Sequence, residues 1–274
     1  MVKLVAEETV PEIPLYQIDA FTRRAFAGNP AAVCPLDAWL PDETLQAIAA
    51  ENNLSETAFF VAQGDRYELR WFTPAVEVDL CGHATLAAGF VVLERLAPHL
   101  GSVSFHTRSG ELVVRRAEGG LLSIDLPARP PAPREVTDAL AEALGKRPIA
   151  AFAARDLVAL YESAEDVRAL RPDMARVAAL DTFAVGVTAR GTGIDADFDF
   201  VSRFFAPAKG VPEDPVTGSL HSTLVPLWAS RLGRARLRAR QVSARGGELD
   251  CTLAGDRVLL AGGAVLVIEG RMRF

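Results

Sequence analysis

The sequence is poor in cysteine, and the cysteines that it has are far apart. Cys34, Cys81 and Cys251 are the three among 274 residues. Their number is odd, and they form neither a Cys-x-x-Cys pair nor a Cys/His cluster, so we expect neither a disulfide framework nor a metal site. Such sparse cysteine is typical of the reducing cytoplasm, and we expect the protein to be cytoplasmic.

Basic residues and long apolar runs are also missing. Lysine and arginine number 29 against 35 acidic residues, a net charge of −6 without a basic tail. Nucleic acid is not an expected partner, because binding it requires a positive surface that displaces phosphate counterions. A membrane is not an expected partner either, since the apolar runs at 84–93 and 259–268 are far shorter than the roughly 20 residues that cross a bilayer. The glutamate-containing residues 1–14 are not expected to be a signal peptide.

What is present is the composition of a globular protein with a large core. Half of the residues are hydrophobic and 23% are charged. At roughly 150 residues per domain, the length predicts two domains or one large one.

An internal similarity indicates two related halves. Residues 70–74 (Arg-Trp-Phe-Thr-Pro) resemble residues 203–207 (Arg-Phe-Phe-Ala-Pro), 133 positions later. Each segment is followed by an acidic loop and a glycine that opens an apolar stretch, and these glycines, Gly82 and Gly218, are 136 positions apart. Two matches at nearly one offset predict halves of about 135 residues. The alternative is that aromatic-proline turns simply recur before helices.

The predicted boundary is a proline-rich linker at about residues 127–133, because proline cannot donate to a sheet and restrains its neighbour. We assign residues 1–126 to the first half and 134–261 to the second, and residues from about 262 to 274 are a candidate for return to the first half. Strand-like segments at 15–21 and 157–162 would open the two halves. Residues 1–12 match no motif and are expected to be loosely ordered.

The fold class follows from many short strands and few helices. Helical patterns cover 41–52, 136–144 and 174–180, and strand-like runs lie between them, the last of them at 258–269. This mixture predicts an α+β fold with mixed or antiparallel sheets. The segments 84–93 and 220–228 are apolar around their circumference, so we expect two pseudo-symmetric halves, each a sheet wrapped around one buried helix.

The starts of these two helices suggest an anion site. The first amide N–H groups of a helix are free and its amino end carries partial positive charge. If residues 82–84 and 218–220 face one cleft, a small-molecule carboxylate is the simplest occupant.

Polar residues near these helix starts are candidates for chemistry, although each also has an ordinary structural interpretation. Glu56 could be a surface turn residue, and Asp214 before proline could be a cap or turn former. His83 could be a structural hydrogen-bonding residue. Ser219 could be a cap, since no Gly-x-Ser-x-Gly elbow surrounds it.

Four segments together resemble the PhzF family of phenazine-biosynthesis-like proteins, which are related in fold to diaminopimelate epimerase. They occur in family order, and the general pattern extends to residues 263–270. The segments are 19–22 with 28–33 (Asp-Ala-Phe-Thr, Gly-Asn-Pro-Ala-Ala-Val), 53–59 (Asn-Leu-Ser-Glu-Thr-Ala-Phe), 81–86 (Cys-Gly-His-Ala-Thr-Leu) and 214–219 (Asp-Pro-Val-Thr-Gly-Ser).

The resemblance implies an isomerase that shifts a proton on a small carboxylate in the cleft between the halves. The resemblance implies no metal or organic cofactor. It also implies that the protein forms a homodimer. Glu56 matches the family's catalytic acid/base. His83, Asp214 and Ser219 match the polar residues that bind the substrate in the family and assist the proton transfer. The substrate-binding positions implied are Gly82, Gly218, Thr217 and Ala84.

Two alternatives remain open. The chain could be a non-catalytic module of the same fold that binds a small ligand or another protein, because function resides in the site rather than the fold. It could also be a cysteine-dependent racemase or epimerase that uses Cys81, whose thiol pKa a helix start could lower. Diaminopimelate epimerase uses two opposed cysteines. Here Cys81 lies at the first of these positions, but Thr217 lies at the second, which disfavours a two-thiol mechanism.

Overall fold

The computed structural model of the protein describes residues 11–64 and 66–274. Within them, seventeen strands pair into one mixed sheet and six α-helices pack against it. This arrangement confirms the predicted α+β class. Residues 1–10, which hold most of the predicted loose extension, lie outside the described residues, and Glu12 already belongs to the first strand.

The strands and helices are named in chain order. The strands that precede residue 130 are β1 (Glu12–Ala20), β2 (Asn29–Leu36), β3 (Glu56–Gln63), β4 (Arg66–Phe72), β5 (Glu77–Val78), β6 (Ser102–Thr107), β7 (Gly110–Ala117) and β8 (Leu121–Pro127). Those that follow are β9 (Ala132–Arg134), β10 (Ala150–Ala153), β11 (Leu157–Leu160), β12 (Val185–Arg190), β13 (Phe200–Phe205), β14 (Arg236–Gln241), β15 (Gly247–Ala254), β16 (Arg257–Gly262) and β17 (Ala264–Arg273). The helices are α1 (Asp42–Asn52), α2 (Gly82–Val91), α3 (Asp138–Leu144), α4 (Ala164–Ala169), α5 (Met174–Ala178) and α6 (Gly218–Leu232).

The strand pairing occurs twice in the same pattern. One set runs β17-β1-β2-β3-β4-β6-β7-β8 and the other runs β9 to β16 in chain order. In both, the successive pairings are antiparallel, antiparallel, parallel, antiparallel, parallel, antiparallel and antiparallel. An antiparallel pairing of β8 with β16 joins the two sets. The two pseudo-symmetric halves are therefore present. In the first half β17 pairs with β1, as β9 pairs with β10 in the second half.

The repeated aromatic motif also repeats an ion pair. Arg70 of β4 donates two hydrogen bonds to Glu77, of 2.7 and 2.8 Å. Arg203 of β13, the strand that corresponds to β4, donates two to Glu213, of 2.8 and 3.0 Å. Each bidentate pair ties a strand to the loop before a central helix, which explains why the motif and the acidic loop occur together.

Two assignments of strands made from the sequence are wrong. The sequence pairs residues 157–162 with residues 15–21 as the opening strands of the two halves, but the pairing pattern makes β10 the counterpart of β1. The sequence does not reveal β10, because it is short, rich in alanine and without a strand-like pattern. The run 258–269 is two strands, β16 and β17, separated at Gly263. A Cβ at Gly263 would lie 2.3 Å from the carbonyl oxygen of Thr22, so the chain turns closely against another segment there.

The proline-rich segment at 127–133 is shorter as a connection than predicted. Pro127 ends β8 and Ala132 begins β9, so that residues 128–131 lie between the strands. Pro133 pairs with Phe152 of β10. Proline is tolerated because β9 has no further strand on its other side within the described residues, and an edge strand does not need every donor.

The two apolar helices are buried within their own halves. Nine of the ten residues of α2 are buried, as are eleven of the fifteen in α6. The helix α2 packs on β1, β2, β3, β7 and β8, and α6 packs on β14, β15 and β16. In the described part of the chain, none of the helices combines the length and apolarity that crossing a bilayer requires.

Replacing Gly89 by alanine should destabilise the fold. A Cβ at Gly89 would lie 2.5 Å from Cγ1 of Val114 in β7, which forces the helix away from the sheet. Alanine favours the helix by roughly 1 kcal/mol, but overpacking costs about 1–3 kcal/mol, and a 2.5 Å contact belongs to the upper part of that range. We therefore expect a net loss of up to about 2 kcal/mol in urea unfolding. At Gly101 a Cβ would meet nothing within 4 Å, so Gly101→Ala serves as the control. Equal stabilities for the two variants would contradict this packing.

Candidate active site

The starts of the two central helices meet. Gly82 and Gly218 are the first residues of α2 and α6, and a Cβ built on either would lie 3.6 Å from the Cα of the other. Cδ1 of Leu126 in β8 packs against the same contact, 3.7 Å from the Cβ position built on each glycine. Two sets of amide groups without intrahelical acceptors therefore lie side by side. Their partial positive charges add at one place, which suits an anion.

Glu56 and His83 form a buried pair beside this junction. Glu56 is the first residue of β3, and it is placed there by a left-handed turn at Asn53 that ends α1. Its Oε2 lies 3.2 Å from Nε2 of His83, the second residue of α2. The two atoms lack solvent access and do not meet in hydrogen-bond geometry. The carboxyl side chain is 17% exposed, so the group is enclosed but reachable.

Asn29 connects this pair to the second half. Its Nδ2 donates to Oδ1 of Asp214 at 2.8 Å and to the carbonyl oxygen of Val216 at 2.9 Å, and lies 3.1 Å from Nδ1 of His83. The Asn29 amide has two hydrogens for these three acceptors, and its nitrogen only donates. Where it shares a hydrogen with His83, Nδ1 is the acceptor, which assigns the proton of the neutral ring to Nε2, toward Glu56. Asn29 lies in the Gly-Asn-Pro-Ala-Ala-Val motif at residues 28–33, but the sequence alone assigns it no role.

The loop before α6 is held by a second buried amide. The Thr217 hydroxyl donates to Oδ2 of Asp214. Gln241 of β14 accepts the Thr217 backbone N–H at 2.9 Å and donates to the Asp214 carbonyl at 2.7 Å. Both oxygens of the Asp214 carboxyl are thus hydrogen-bonded. Sequence reasoning missed Gln241, since it lies in an arginine-rich strand without a motif.

The predicted site residues divide into two groups. The structure brings Glu56, His83 and Asp214 together through Asn29, with Ala84 buried in the first turn of α2. Ser219 is engaged elsewhere: its hydroxyl accepts a hydrogen bond of 3.0 Å from Nη2 of Arg155. A position at a helix start did not reveal in which direction the side chain would point.

Burial sets the protonation states of the network. It raises the pKa of Glu56 to about 8, with a further rise from the negative charge of Asp214. It raises the pKa of Asp214 to about 6 and lowers the pKa of His83 to about 3. At neutral pH the imidazole is therefore neutral, Asp214 is mostly ionised, and Glu56 mostly holds a proton. The site keeps an acid and a potential base in one carboxyl group.

Cys81 lies next to this network but is not poised as a thiolate. Its Sγ is 3.5 Å from Nδ1 of His83. Burial raises the pKa of the Cys81 thiol well above its ordinary value, and the charge of Glu56 raises it further, which outweighs any effect of the helix start. Cys81, Glu56 and His83 each offer a donor atom within 4.8 Å of the others, so they could hold a metal ion. The expectation of no metal stays a prediction.

The buried carboxyl of Glu56 should destabilise the protein as the pH rises. Between pH 4.5 and about 8 the native protein holds a proton that the unfolded chain releases, so the free energy of unfolding falls with increasing pH in this window. Glu56→Gln removes this loss, and we expect the variant to gain on the wild type by the order of 1–4 kcal/mol between pH 5 and pH 8. Urea unfolding at pH 5, 6.5 and 8 measures it. The exposed Glu51 provides the control, Glu51→Gln; a difference for Glu56→Gln that does not change with pH would refute the burial effect.

Comparison with known proteins gives consistent matches over nearly the whole chain. A family model described as PhzC-PhzF, phenazine biosynthesis-like protein, matches residues 18–270. An uncharacterized isomerase of Pseudomonas aeruginosa is 52% identical over 261 residues, which cover 95% of this chain and 99% of the relative. The crystal structure of a PhzF family protein from Enterococcus faecalis is 42% identical with a TM-score of 0.92, covering 96% of this chain and 100% of that one. A hydroxyproline epimerase from Agrobacterium vitis, 11% identical, shares the fold with a TM-score of 0.59 over 96% of this chain and 92% of its own.

Proposed function

Because the chain belongs to the family of phenazine biosynthesis-like proteins, we propose that it is an isomerase that moves a proton within a small carboxylate, with Glu56 as the acid/base. The isomerase assignment rests on the family and on relatives that carry that name. The observation that supports Glu56 best is its burial against His83 beside the paired starts of α2 and α6.

The proposed step begins with the substrate carboxylate at the helix starts of Gly82 and Gly218. Ionised Glu56 removes a proton from a substrate carbon, and the electron pair of that C–H bond moves into the carboxylate to give an enolate-like intermediate. The amide groups stabilise the added negative charge because they are already oriented toward it. Glu56, now protonated, returns the proton to a different carbon of an unsaturated substrate, and the carbon–carbon double bond shifts by one position. One C–H bond breaks and one forms, so the step is balanced without an external oxidant or reductant.

The electrostatics of the network suit this role. A general base works best when its pKa lies near the operating pH, and the pKa of Glu56 is raised to about 8. His83 stays neutral and has its Nε2 proton available for the substrate. Asp214, held by Asn29 and Thr217, keeps negative charge near Glu56 and so favours the protonated form of that carboxyl.

Solvent exchange tests the proposal. Small carboxylates with hydrogen on carbons next to or conjugated with the carboxyl group are incubated with the protein in heavy water, and deuterium incorporation is followed by NMR. We expect incorporation at carbon for at least one class of carboxylate. No incorporation across aromatic, amino and hydroxy acids, with binding retained, would favour the non-catalytic binding module instead.

Cys81→Ala should retain activity. The thiol is buried and its pKa is raised, so its loss removes no thiolate, and we expect exchange rates within about threefold of the wild type. Cys34→Ala, a buried cysteine in β2, controls for the loss of packing. Loss of exchange in Cys81→Ala together with normal exchange in Glu56→Gln would assign the base to the thiol and support the cysteine-dependent racemase.

A further inference from the structure

A cationic cluster lies at the start of the second central helix. Arg155 donates two hydrogen bonds to Asp156, of 2.9 and 3.0 Å, and one of 3.0 Å to the hydroxyl of Ser219. Its guanidinium lies over the ring of Phe183, 4.5 Å from the centroid. The Asp156 side chain is 1% exposed, whereas Arg155 is 31% exposed. Arg155 is thus fixed from one side and open to an approaching ligand on another.

Arg129 adds a second guanidinium, and one of its nitrogens has no hydrogen-bond partner within the described residues. Its Nη1 is shielded from solvent and has no hydrogen-bond acceptor among residues 11–64 and 66–274. Its backbone N–H bonds the Ser222 carbonyl, one turn along α6 from Ser219. Burial lowers the pKa of Arg129 and the charge of Arg155 lowers it further. Since an unsatisfied buried donor on a cation is costly, the pair fits a state in which an anion is bound.

The internal repeat relates this cluster to Glu56. In the first half, Thr57 pairs with Phe72. In the second half, Val185 pairs with Phe205, which lies 133 positions after Phe72, the offset of the repeated motif. Val185 is therefore the counterpart of Thr57. The residue that precedes Val185 is likewise the counterpart of the residue that precedes Thr57.

That equivalence places Ala184, beside Phe183, where the first half has Glu56. In the same way, Gly218 corresponds to Gly82, so Ser219 corresponds to His83. Arg155, which contacts both Ser219 and Phe183, occupies in the second half the region that the Glu56–His83 pair occupies in the first. Because Gly82 and Gly218 touch, both regions adjoin the same junction of helix starts, one through His83 and the other through Ser219.

The local charge differs from that of the whole protein. Arg155 and Lys209 both lie against the ring of Phe183, with the Lys209 Nζ 5.1 Å from its centroid. Arg129 is close enough to Arg155 for their charges to repel, and Asp156 pairs with Arg155. The chain as a whole carries a net charge of −6. A cluster of positive charge in an acidic protein, with one donor unsatisfied, points to a recognised anion rather than to general solubility.

We propose that the substrate is a small dicarboxylate whose second carboxylate, remote from the reacting carbon, is bound by Arg129 and Arg155. This deepens the proposed function and rests on it. Of the two guanidinium groups, Asp156 pairs with that of Arg155, which leaves the positive charge of Arg129 for a monoanionic group. A planar carboxylate also matches the guanidinium fork geometrically. The first carboxylate then lies at the helix starts, and the substrate spans the cleft with its C–H bond near Glu56.

Calorimetric binding of matched acids tests this assignment. The probes are succinate, glutarate and adipate, each compared with the monocarboxylate of the same carbon number: butyrate, pentanoate and hexanoate. We expect at least one diacid to bind the wild type at least tenfold more tightly than its partner. In Arg129→Met and Arg155→Met that preference should fall to twofold or less. The exposed Arg134 of β9 supplies the control variant, Arg134→Met, which should retain it.

The outcomes separate this inference from the proposed function. Glu56→Gln should keep the diacid preference and lose deuterium exchange. A diacid preference without exchange in any substrate would uphold the arginine site and reject the isomerase mechanism, whereas exchange confined to monocarboxylates would reject the arginine site alone. Equal affinities of diacids and monoacids, no binding of any diacid, or a preference that survives both methionine variants overturns the inference. Circular dichroism confirms that the variants are folded, and Arg129→Lys, which keeps the charge, should recover part of the preference.

Discussion

Glu56→Gln is expected to lower the rate of solvent deuterium exchange by about 10²–10⁴-fold, the usual contribution of a general acid/base. Glutamine has the shape of glutamate but cannot accept a proton from carbon at neutral pH. The buried contact with His83 and the start of β3 should persist, so loss of folding would not explain the effect. NMR of the substrate in heavy water measures the rate, and circular dichroism checks the fold.

The wild-type exchange rate should also rise with pH. In the proposed mechanism only the ionised carboxyl of Glu56 removes a proton, and its pKa is raised to about 8. Below that value the ionised fraction falls tenfold per pH unit, so we expect the rate to increase roughly 50-fold from pH 6 to pH 8 and to level off above. A flat profile across this range, or normal exchange in Glu56→Gln, would remove Glu56 from the role of base.

The sequence predicted the parts of the fold that depend on local pattern. The segments that form α2 and α6 are apolar on all sides, and such segments have to be buried whatever surrounds them. The repeated motif gave the two halves because its arginine and acidic loop form the same ion pair twice. The strand β2 was missed because it contains Pro30 and Pro35, which weaken any strand pattern. The strand β14 was missed because it alternates arginine with buried residues.

The candidate site was predictable only in part for a different reason. Motifs named Glu56, His83 and Asp214, but the sequence did not assign a role to the residue that connects them, although Asn29 lies in one of the motifs. Asn29 acts through a side chain that reaches residues 54 and 185 positions away. Ser219 is bonded to Arg155, 64 positions away, which no local pattern reveals. Direction and partner of a polar side chain depend on the tertiary fold, and so do the pKa shifts that follow from burial.

The buried carboxyl network implies that function is favoured at the expense of stability. Glu56 and Asp214 are both enclosed, burial raises the pKa of each, and the charge of Asp214 raises the pKa of Glu56 further. A protein selected for stability alone would place neutral groups there. The predicted gain in stability of Glu56→Gln at pH 8 and its predicted loss of exchange are therefore two consequences of one arrangement.

Asn29→Ala should reduce both activity and stability, because Asn29 is the link between the Glu56–His83 pair and Asp214. Its removal leaves an acceptor on His83 and one oxygen of Asp214 without their shared donor. Unsatisfied buried groups cost about 1–3 kcal/mol, and we expect a stability loss of that size. Since His83 and Asp214 would lose their positions, exchange should fall by about 10–100-fold. Asn52→Ala, which removes one hydrogen bond to Thr57, is the control and should change stability by less than about 1 kcal/mol.

Asn29→Asp separates the loss of a donor from the loss of a side chain. It keeps the shape but places a carboxylate 2.8 Å from Oδ1 of Asp214, where two like charges repel. We expect it to be more damaging than Asn29→Ala at pH 8, and the difference to shrink or reverse at pH 5.5, where one of the two carboxyls takes up a proton. Urea unfolding and exchange rates at both pH values measure this. If Asn29→Asp tolerated pH 8 as well as Asn29→Ala does, the amide would not act as the donor between the halves, and the tautomer assigned to His83 would lose its support.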